Sequence, residues 1–169
     1  MLLYLLLACK EPEPINTDVC EQEISVTDMA QGLTDEQKEV SYIIEEQFSE
    51  MEIPPNITAA AIVNALAESK LNAEAIGDGG KAVGPFQLHK NGLGKNLSTT
   101  ERTNVYTSAN IIGIQILKNN TLYDLENNNA LIPVMTEVIT EDIMRPDKLK
   151  EQKEKRSQLA KRVFPTRIW

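Results

Sequence analysis

The fold is decided by residues 55–90, which read PNITAAAIVNALAESKLNAEAIGDGGKAVGPFQLHK. The first part opens on a proline, is rich in alanine and carries apolar residues at helical spacing, which predicts a helix that reaches about Ser69. The second part, from Ala73 to Leu97, is rich in glycine and lacks that period. It predicts a loop or a small β-hairpin, and such loops carry function more often than the elements they join.

Helical patterns flank this segment on both sides. Thr34 and Gln37 fit a capping box, and the apolar residues that follow predict a helix over about 35–51. Further helices are predicted over about 102–118, 128–143 and 147–163. The fold class is therefore predicted to be mainly α, a small helical domain with one elaborate loop at its centre.

Composition places the chain among single globular domains. It has 169 residues, of which 41% are hydrophobic and 25% charged, and this excludes wholesale disorder. Its 17 basic and 25 acidic residues give a net charge of −8, so the overall field should not hold nucleic acid. The two cysteines are too few for a disulfide-rich scaffold or a four-cysteine zinc site. The sequence contains no cofactor-binding or metal-binding motif, and we therefore expect no cofactor and no metal site.

Residues 1–9 form a candidate signal segment. Leu2–Ala8 is an apolar run too short to span a bilayer. Leu6–Cys9 resembles the bacterial lipobox, whose cysteine is lipidated and attaches the protein to a membrane. A signal peptide has a basic residue before its apolar region, and none precedes this run. Three interpretations therefore stay open, namely lipidation of Cys9, a fortuitous apolar terminus, and a Cys9–Cys20 disulfide in an oxidising compartment.

The rest of the chain divides into a tether and a domain. Residues 10–33 are acidic and contain two prolines, which predicts an extended, self-repelling tether. The domain is predicted over 34–165, and its last helix, 147–163, is basic. Because that helix mixes charges of both signs at helical spacing, we expect a solvated helix, which would add local attraction to anionic wall polymers or phospholipid.

One carboxylate at the edge of the loop is the candidate for chemistry. Glu68 lies near the end of the alanine-rich helix, among small and apolar residues. Partial burial and the negative end of the helix both favour a protonated carboxyl, as a general acid requires. The alternative is an ordinary surface glutamate. In the loop, Gln87 beside Phe86 can donate and accept hydrogen bonds, which suits sugar hydroxyls and N-acetyl groups or the loop's own backbone.

These residues together resemble a known superfamily, the lysozyme-like proteins, and within it the lytic transglycosylases and goose-type lysozymes. The motifs that carry the resemblance are Glu68-Ser69-x-Leu71-Asn72-x-x-Ala75 and Gly84-x-x-Gln87-Leu88. Ala73 and Pro85 stand where these proteins usually have proline and leucine. Residues 141–164 are similar to the C-terminal helices of phage tail lysozymes.

The resemblance implies cleavage of the β-1,4 bond between N-acetylmuramic acid and N-acetylglucosamine in peptidoglycan. It implies that Glu68 protonates the leaving oxygen, that Ser69 orients the substrate, and that Gln87 and Phe86 form the floor of the glycan cleft. The third motif of the family, an Ala-Tyr-Asn, has no clear match. Two residues are candidates to replace it, Tyr106 and Tyr123.

Asp78 bears on whether the glycosidic bond is cleaved by hydrolysis or by intramolecular transfer of the sugar. An inverting glycosidase needs a second carboxylate, roughly 6.5–9.5 Å from the acid, to activate water, whereas a lytic transglycosylase uses the sugar's own 6-hydroxyl. Goose-type lysozymes have a Gly-Asp where this chain has Gly77-Asp78, and this similarity implies a water-holding role for Asp78. His89 replaces a further aspartate of those enzymes. The alternatives are a turn residue for Asp78 and a surface residue for His89.

The leading interpretation is thus a peptidoglycan-cleaving enzyme of a bacterial envelope or a phage particle, with the glycan strand as its partner. The alternative is a non-catalytic wall-binding or virion structural protein that retains the fold. Retention of Glu68 and Gln87 favours the enzyme, and the unmatched Ala-Tyr-Asn favours the alternative.

Overall fold

The computed structural model describes residues 25–166. The candidate signal segment with Cys9 and the tether up to residue 24 lie outside the described residues. Within the described part, no helix combines the length and the apolar character needed to span a bilayer. Most of this part is helical, which confirms the mainly α fold class.

The described chain contains eight α-helices and a π-helical turn, Ile139–Met144, that continues the seventh. The helices are α1 Val26–Met29, α2 Asp35–Glu50, α3 Pro55–Ser69, α4 Thr99–Thr103, α5 Val105–Leu117, α6 Asn120–Asn127, α7 Ile132–Val138 and α8 Leu149–Val163. The capping box of Thr34 and Gln37 is formed, and α2, α3, α5 and α8 confirm four predicted helices to within about three residues.

The sequence patterns missed three short helices, α1, α4 and α6. Helices α4 and α6 each begin at a polar cap, since the side chain of Ser98 accepts the N–H of Glu101 and that of Asn119 accepts the N–H of Leu122. The helix predicted over 128–143 begins later, at Ile132, because the turn after α6 occupies its first residues. Pro133 lies in the first turn of α7, where the backbone N–H that proline lacks would have no partner within the helix.

The glycine-rich loop folds into a three-stranded antiparallel sheet, one strand more than a hairpin. Its strands are β1 Ile76–Gly77, β2 Ala82–Val83 and β3 Leu88–His89, in that order across the sheet. A 3-10 turn, Asp78–Gly80, joins β1 to β2. The register pairs Ala82 with His89, so the polar end of β3 lies beside the start of β2.

Helix α3 is the centre of the core. Every residue from Asn56 to Ala65 is buried, which fits a helix that is apolar on nearly all sides. Its alanines allow close approach of the helices around it, and α7 and α8 pack directly against it. This arrangement fixes the end of α3, and with it Glu68.

The boundary of the domain differs from the prediction, which extended the tether to residue 33. Helix α1 packs on the domain with Val26 and Thr27 buried. The Glu45 carboxylate of α2 accepts the N–H groups of Val26 at 2.6 Å and Thr27 at 2.9 Å. Packed chain therefore begins at least as early as Ser25. The acidic composition of residues 10–33 did not indicate this packing, because the contacts come from the carboxylate of Glu45 in another helix.

Helix α8 is not the wholly solvated helix that its charges predict. Arg156, Ser157, Ala160 and Val163 are buried, and α8 packs against α3 and α7. These positions follow one another at spacings of one, three and three residues, so they form one face of the helix. The other face carries the lysines and glutamates that dominate the sequence pattern.

Candidate active-site cleft

A cleft of about 730 Å³ opens between the end of α3, the small sheet, α5 and the turn after α7. This volume is typical of sites for small ligands. Five residues singled out from the sequence line it, and they are Glu68, Asp78, Phe86, Gln87 and His89. The fold therefore brings together the helix end and the loop that the sequence motifs predicted to cooperate.

Glu68 is held in this cleft by a partner from the far end of the chain. The Nη2 group of Arg156 in α8 donates to its Oε1 at 2.7 Å. The Arg156 side chain is 3% exposed and that of Glu68 is 20% exposed. No described residue hydrogen-bonds Oε2 of Glu68. One carboxylate oxygen is therefore fixed by the protein interior, and the other is available to a ligand.

Beneath this ion pair lies a buried polar network. The Nη1 group of Arg156 donates to Oδ1 of Asn64 at 2.8 Å, and the Thr140 hydroxyl donates to the same oxygen at 2.9 Å. The Asn64 amide nitrogen donates back to the carbonyl of Ala60, one turn earlier in α3. Because Nη1 and Nη2 of Arg156 are both hydrogen-bonded, to Asn64 and Glu68, the guanidinium has a defined position, although its buried Nε has no partner among the described residues.

Ser69 ties the loop to the helix and does not line the cleft. Its hydroxyl donates to the carbonyl of Pro85 at 2.8 Å and accepts the N–H of Asn72 at 3.1 Å. These contacts fasten the turn after α3 to the segment before β3. In this structure the hydroxyl is committed to the protein backbone, and a contact of Ser69 with substrate stays a prediction.

Gln87 holds the backbone of the loop and also lines the cleft. Its Nε2 group donates to the carbonyls of Ala75 at 3.2 Å and Gly84 at 3.0 Å, which holds the loop together. Its backbone lies in the left-handed region, with φ of 48°, and its side chain still lines the cleft. Phe86 beside it is 1% exposed and forms an apolar floor.

Asp78 and His89 form a pair on the sheet side of the cleft. His89 Nε2 lies 3.0 Å from Asp78 Oδ2, and Lys81 Nζ lies 3.9 Å from the same oxygen. The N–H of Asn91 donates to His89 Nδ1 at 3.1 Å. A nitrogen that accepts a hydrogen bond carries no proton, so the proton is on Nε2 and is donated to Asp78.

Tyr106, a candidate to replace the missing Ala-Tyr-Asn motif, lies outside the cleft. It is 44% exposed, does not line the cleft, and donates its hydroxyl to Glu50 of α2. That contact raises the pKa of the Tyr106 hydroxyl above its ordinary value. Tyr123 lies in α6, and burial raises the pKa of its hydroxyl. Tyr106 therefore lies apart from Glu68 and the loop residues that line the cleft, and its contact with substrate stays a prediction.

The opposite wall consists of residues that the sequence did not propose for the site, although some lie in the segment similar to phage tail lysozymes. Gln115 of α5 and the segment from Asp142 to Asp147 line it. Arg145 lies there in the left-handed region, with φ of 45°, and donates through Nε to the carbonyl of Asp142 at 2.9 Å. These residues lie on or just after the π-helical turn, and the uniform helical pattern of 128–143 gives no indication of that turn.

A second buried arginine positions the sheet. Arg102 in α4 is 4% exposed, and its Nη1 donates to the carbonyls of Lys81 at 2.7 Å and Leu88 at 3.0 Å. Lys81 directly follows the 3-10 turn that contains Asp78, and Leu88 precedes His89 in β3. Arg102 therefore fixes this side of the cleft as Arg156 fixes the other.

Nothing in the described chain indicates a metal centre. Among residues 25–166, no group of three or more His, Cys, Asp or Glu side chains is placed to hold a metal ion. Four carboxylates, Glu68, Asp78, Asp142 and Asp147, and one guanidinium, Arg145, line the cleft. Such a site is equipped for proton transfer and for binding a neutral polyhydroxyl ligand.

Comparisons with known proteins give no relative. No protein-family model, no curated protein and no solved structure matches the chain. The function is therefore argued from the sequence motifs and the cleft.

Proposed function

We propose that this protein has a lysozyme-like fold and is a peptidoglycan-cleaving glycosidase. It cuts the β-1,4 bond between N-acetylmuramic acid and N-acetylglucosamine, with Glu68 as general acid. The observation that carries the proposal is the single cleft shared by Glu68, at the end of α3, and the loop residues Asp78, Phe86 and Gln87. These are the positions at which the sequence resembles the catalytic and glycan-binding motifs of the superfamily.

The hydrogen bonding of Glu68 gives its carboxyl group a defined orientation in the cleft. Because Arg156 donates a hydrogen bond to Oε1, a proton on the carboxyl group is carried by Oε2, which no described residue hydrogen-bonds. Oε2 would protonate the leaving glycosidic oxygen. The buried guanidinium then stabilises the carboxylate that remains after proton transfer, because the two charges lie in a poorly solvated place.

The floor of the cleft supports a glycan ligand. Phe86 is almost fully buried and packs beneath the floor of the cleft. Gln87 lines the cleft and uses only Nε2 in its two hydrogen bonds to the loop, so its carbonyl oxygen Oε1 can accept from a sugar. Backbone groups of the sheet add donors and acceptors. Ligand pockets are typically of this kind, largely apolar with a few placed polar groups.

Hydrolysis and intramolecular transfer both need Glu68 and differ in the nucleophile. A muramidase uses water held by a second carboxylate, and Asp78 is the candidate because it lines the same cleft. A lytic transglycosylase uses the 6-hydroxyl of the muramic acid and needs no second carboxylate. The products distinguish the two reactions, since transfer leaves 1,6-anhydro ends and hydrolysis leaves reducing ends.

The proposed place of action is a bacterial cell envelope or a phage particle, because peptidoglycan is found outside the inner membrane. In the envelope case, lipidation of Cys9 would attach the enzyme to a membrane through the acidic segment before Ser25. Labelling with palmitate, with Cys9→Ser as control, tests the attachment. Incorporation into the wild type alone supports it, and equal labelling of both proteins contradicts it.

A second candidate function is binding of peptidoglycan without cleavage, in a wall-binding or virion structural protein. The ion pair of Glu68 with Arg156 favours it, because a carboxylate that compensates a buried arginine also has a structural task. The unmatched Ala-Tyr-Asn motif favours it as well. The two candidates differ in whether soluble fragments are released.

The test is digestion of purified peptidoglycan, with mass spectrometry of the soluble products. Wild type is compared with Glu68→Gln, whose amide oxygen can still accept from Arg156, and with Glu74→Gln as control. Glu74 is exposed and does not line the cleft. We expect muropeptides from wild type and Glu74→Gln but not from Glu68→Gln. Equal release by all three would remove Glu68 from the mechanism, and binding without release would favour the second candidate.

A further inference from the structure

Arg145 is the only arginine or lysine among the described residues that line the cleft. It directly follows the π-helical turn Ile139–Met144, and the proton transfer proposed for Glu68 does not use it. We infer that Arg145 binds a carboxylate carried by the lactyl branch of muramic acid, and that it thereby selects glycan strands with a negative charge on that branch. The inference rests on the proposed function for its substrate and names the group of that substrate which the opposite wall recognises.

The backbone holds Arg145 in a conformation that arginine rarely adopts. Its φ of 45° and ψ of 57° lie in the left-handed region, which costs free energy for a residue with a side chain. Pro146 follows it, and proline favours extended dihedral angles in the residue before it. The N–H of Arg145 donates to the carbonyl of Thr140 at 2.9 Å and closes the π-helical turn. Strained residues and π-helical turns are both frequent at ligand sites.

The side chain of Arg145 is anchored through Nε and uncommitted at its tip. Nε donates to the carbonyl of Asp142 at 2.9 Å, which restricts the direction of the guanidinium plane. No described residue accepts a hydrogen bond from Nη1 or Nη2, and no described carboxylate forms an ion pair with them. Both terminal nitrogens can thus donate in parallel to the two oxygens of a ligand carboxylate, the bidentate pairing for which a guanidinium is suited.

The acidic residues of the cleft do not occupy this guanidinium. Three of the four carboxylates that line the cleft are bonded to other side chains, namely Glu68 to Arg156, Asp78 to His89 and Asp142 to Asn119. The fourth, Asp147, lies two residues after Arg145 and forms no ion pair with it. Because the cleft as a whole is acidic, a ligand carboxylate would be held there by short, directed hydrogen bonds from Arg145 and not by the net field.

The proposed substrate has its negative charge on one branch. The sugar rings carry neutral hydroxyl and N-acetyl groups, whereas the lactyl branch at C3 of muramic acid ends in a carboxylate on bare strands. On peptide-bearing strands the branch continues as a peptide with carboxylates of its own. Glu68 and Arg145 line the same cleft, so a muramic acid with its glycosidic bond at Glu68 can direct this branch toward Arg145. The ligand of Arg145 is therefore a carboxylate from one of these two sources.

The experiment measures cleavage of four kinds of soluble glycan strand made from one peptidoglycan preparation. Bare strands are obtained by removing the peptides with an amidase, and peptide-bearing strands are kept uncross-linked. After acetylation of free amines, half of each sample is coupled to methylamine with a carbodiimide, which converts its carboxylates into neutral methylamides and leaves the sugars unchanged.

The proteins compared are wild type, Arg145→Gln, Arg145→Lys, Glu68→Gln and, as matched control, Arg162→Gln. Arg162 is exposed in α8 and does not line the cleft. Thermal unfolding by circular dichroism shows that equal amounts of folded protein are compared.

We expect wild type and Arg162→Gln to cleave untreated strands with a kcat/KM about 10-fold higher than that for methylamide strands, as the loss of a charged hydrogen bond predicts. Arg145→Gln should lose about 10-fold on untreated strands and little on methylamides, so that it no longer distinguishes them. Arg145→Lys retains the charge without the planar fork and should fall between the two. A preference within bare strands assigns the lactyl carboxylate itself, and a preference within peptide-bearing strands assigns a carboxylate of the peptide.

Two results overturn the inference while the glycosidase proposal stands, provided that Glu68→Gln is inactive. One is an equal loss by Arg145→Gln on untreated and methylamide strands, which would show a merely structural role. The other is equal cleavage of both kinds of strand by wild type, which would show that no carboxylate is recognised.

If wild type cleaves no strand, or Glu68→Gln cleaves as well as wild type, the proposed function fails. Equilibrium binding of fluorescently labelled strands then decides the inference separately. Tighter binding of untreated than of methylamide strands by wild type, but not by Arg145→Gln, supports it. Equal binding of the two by wild type, or no binding, overturns it.

Discussion

The guanidinium of Arg156 lies 2.7 Å from Oε1 of Glu68, although 88 residues separate them in the chain. The arginine is almost fully buried, whereas the glutamate reaches the cleft. A buried cation is costly unless it is paired. The stability of the domain and the position of its candidate acid therefore depend on the same contact.

This pair should respond asymmetrically to substitution. Glu68→Leu leaves the buried guanidinium unpaired and should lower the free energy of unfolding by about 3 kcal/mol. Arg156→Met should cost less, because the Glu68 carboxylate reaches water. The double variant should be more stable than Glu68→Leu alone. Urea denaturation measures all three, and simple additivity of the two single effects would contradict the coupling.

Local signals explain why α2, α3 and the loop were predicted correctly. The capping box at Thr34, the prolines before α3 and the glycines after Gly77 act within a few residues of where they occur. The motifs that contain Glu68 and Gln87 are local signals as well, since both residues lie within one short segment of the sequence. Proximity in sequence made their meeting in one cleft predictable.

The partners of these residues could not be predicted in the same way. Arg156 is surrounded by lysines and glutamates in sequence, and only the packing of α8 on α3 places it beneath Glu68. Tyr106 was a candidate because of its residue type, but the rotation of α5 turns it toward α2 instead of the cleft. Which face of a helix is buried depends on the neighbours that tertiary packing supplies.

Gly77 should be required by its closeness to Gln87. Its φ of −124° is accessible to any residue, but an added Cβ would lie 2.2 Å from Oε1 of Gln87. Gly77→Ala should displace the Gln87 side chain and so reduce peptidoglycan cleavage more than it reduces stability. Activity and thermal unfolding, measured on the same preparation, test this.

Gly79→Ala is the matched control for that substitution. Gly79 has φ of 59°, and an added Cβ would meet nothing within 4 Å. Its cost should be about 1 kcal/mol from the left-handed backbone alone, with cleavage per folded molecule unchanged. If Gly79→Ala impairs cleavage as much as Gly77→Ala does, general loop strain explains the effect and the specific contact with Gln87 does not.

The cap of α4 should contribute to stability in a pH-dependent way. The Glu101 carboxylate accepts from the N–H and the hydroxyl of Ser98, both at 2.7 Å. These hydrogen bonds lower the pKa of Glu101 below its ordinary value. A group whose pKa is lowered on folding stabilises the protein above its unfolded pKa, and this contribution is lost as the pH falls through the folded value.

Glu101→Gln should therefore make the unfolding midpoint less dependent on pH between about 5 and 3, where an ordinary glutamate titrates. At pH 7 the variant should be less stable than wild type, and the difference should shrink in acid. Urea midpoints at several pH values measure it. A constant difference across that range would show that the carboxylate cap does not titrate with folding.

The Glu45 carboxylate should hold α1 on the domain. It accepts from the Ser25 hydroxyl and from the N–H groups of Val26 and Thr27, at 2.8, 2.6 and 2.9 Å. Glu45→Ala should speed amide hydrogen exchange at these two residues at least 10-fold, because hydrogen bonds to a charged group contribute about 1.5–3 kcal/mol. Glu46→Ala, at an exposed neighbour, is the control. Unchanged exchange in Glu45→Ala would mean that apolar packing alone retains α1.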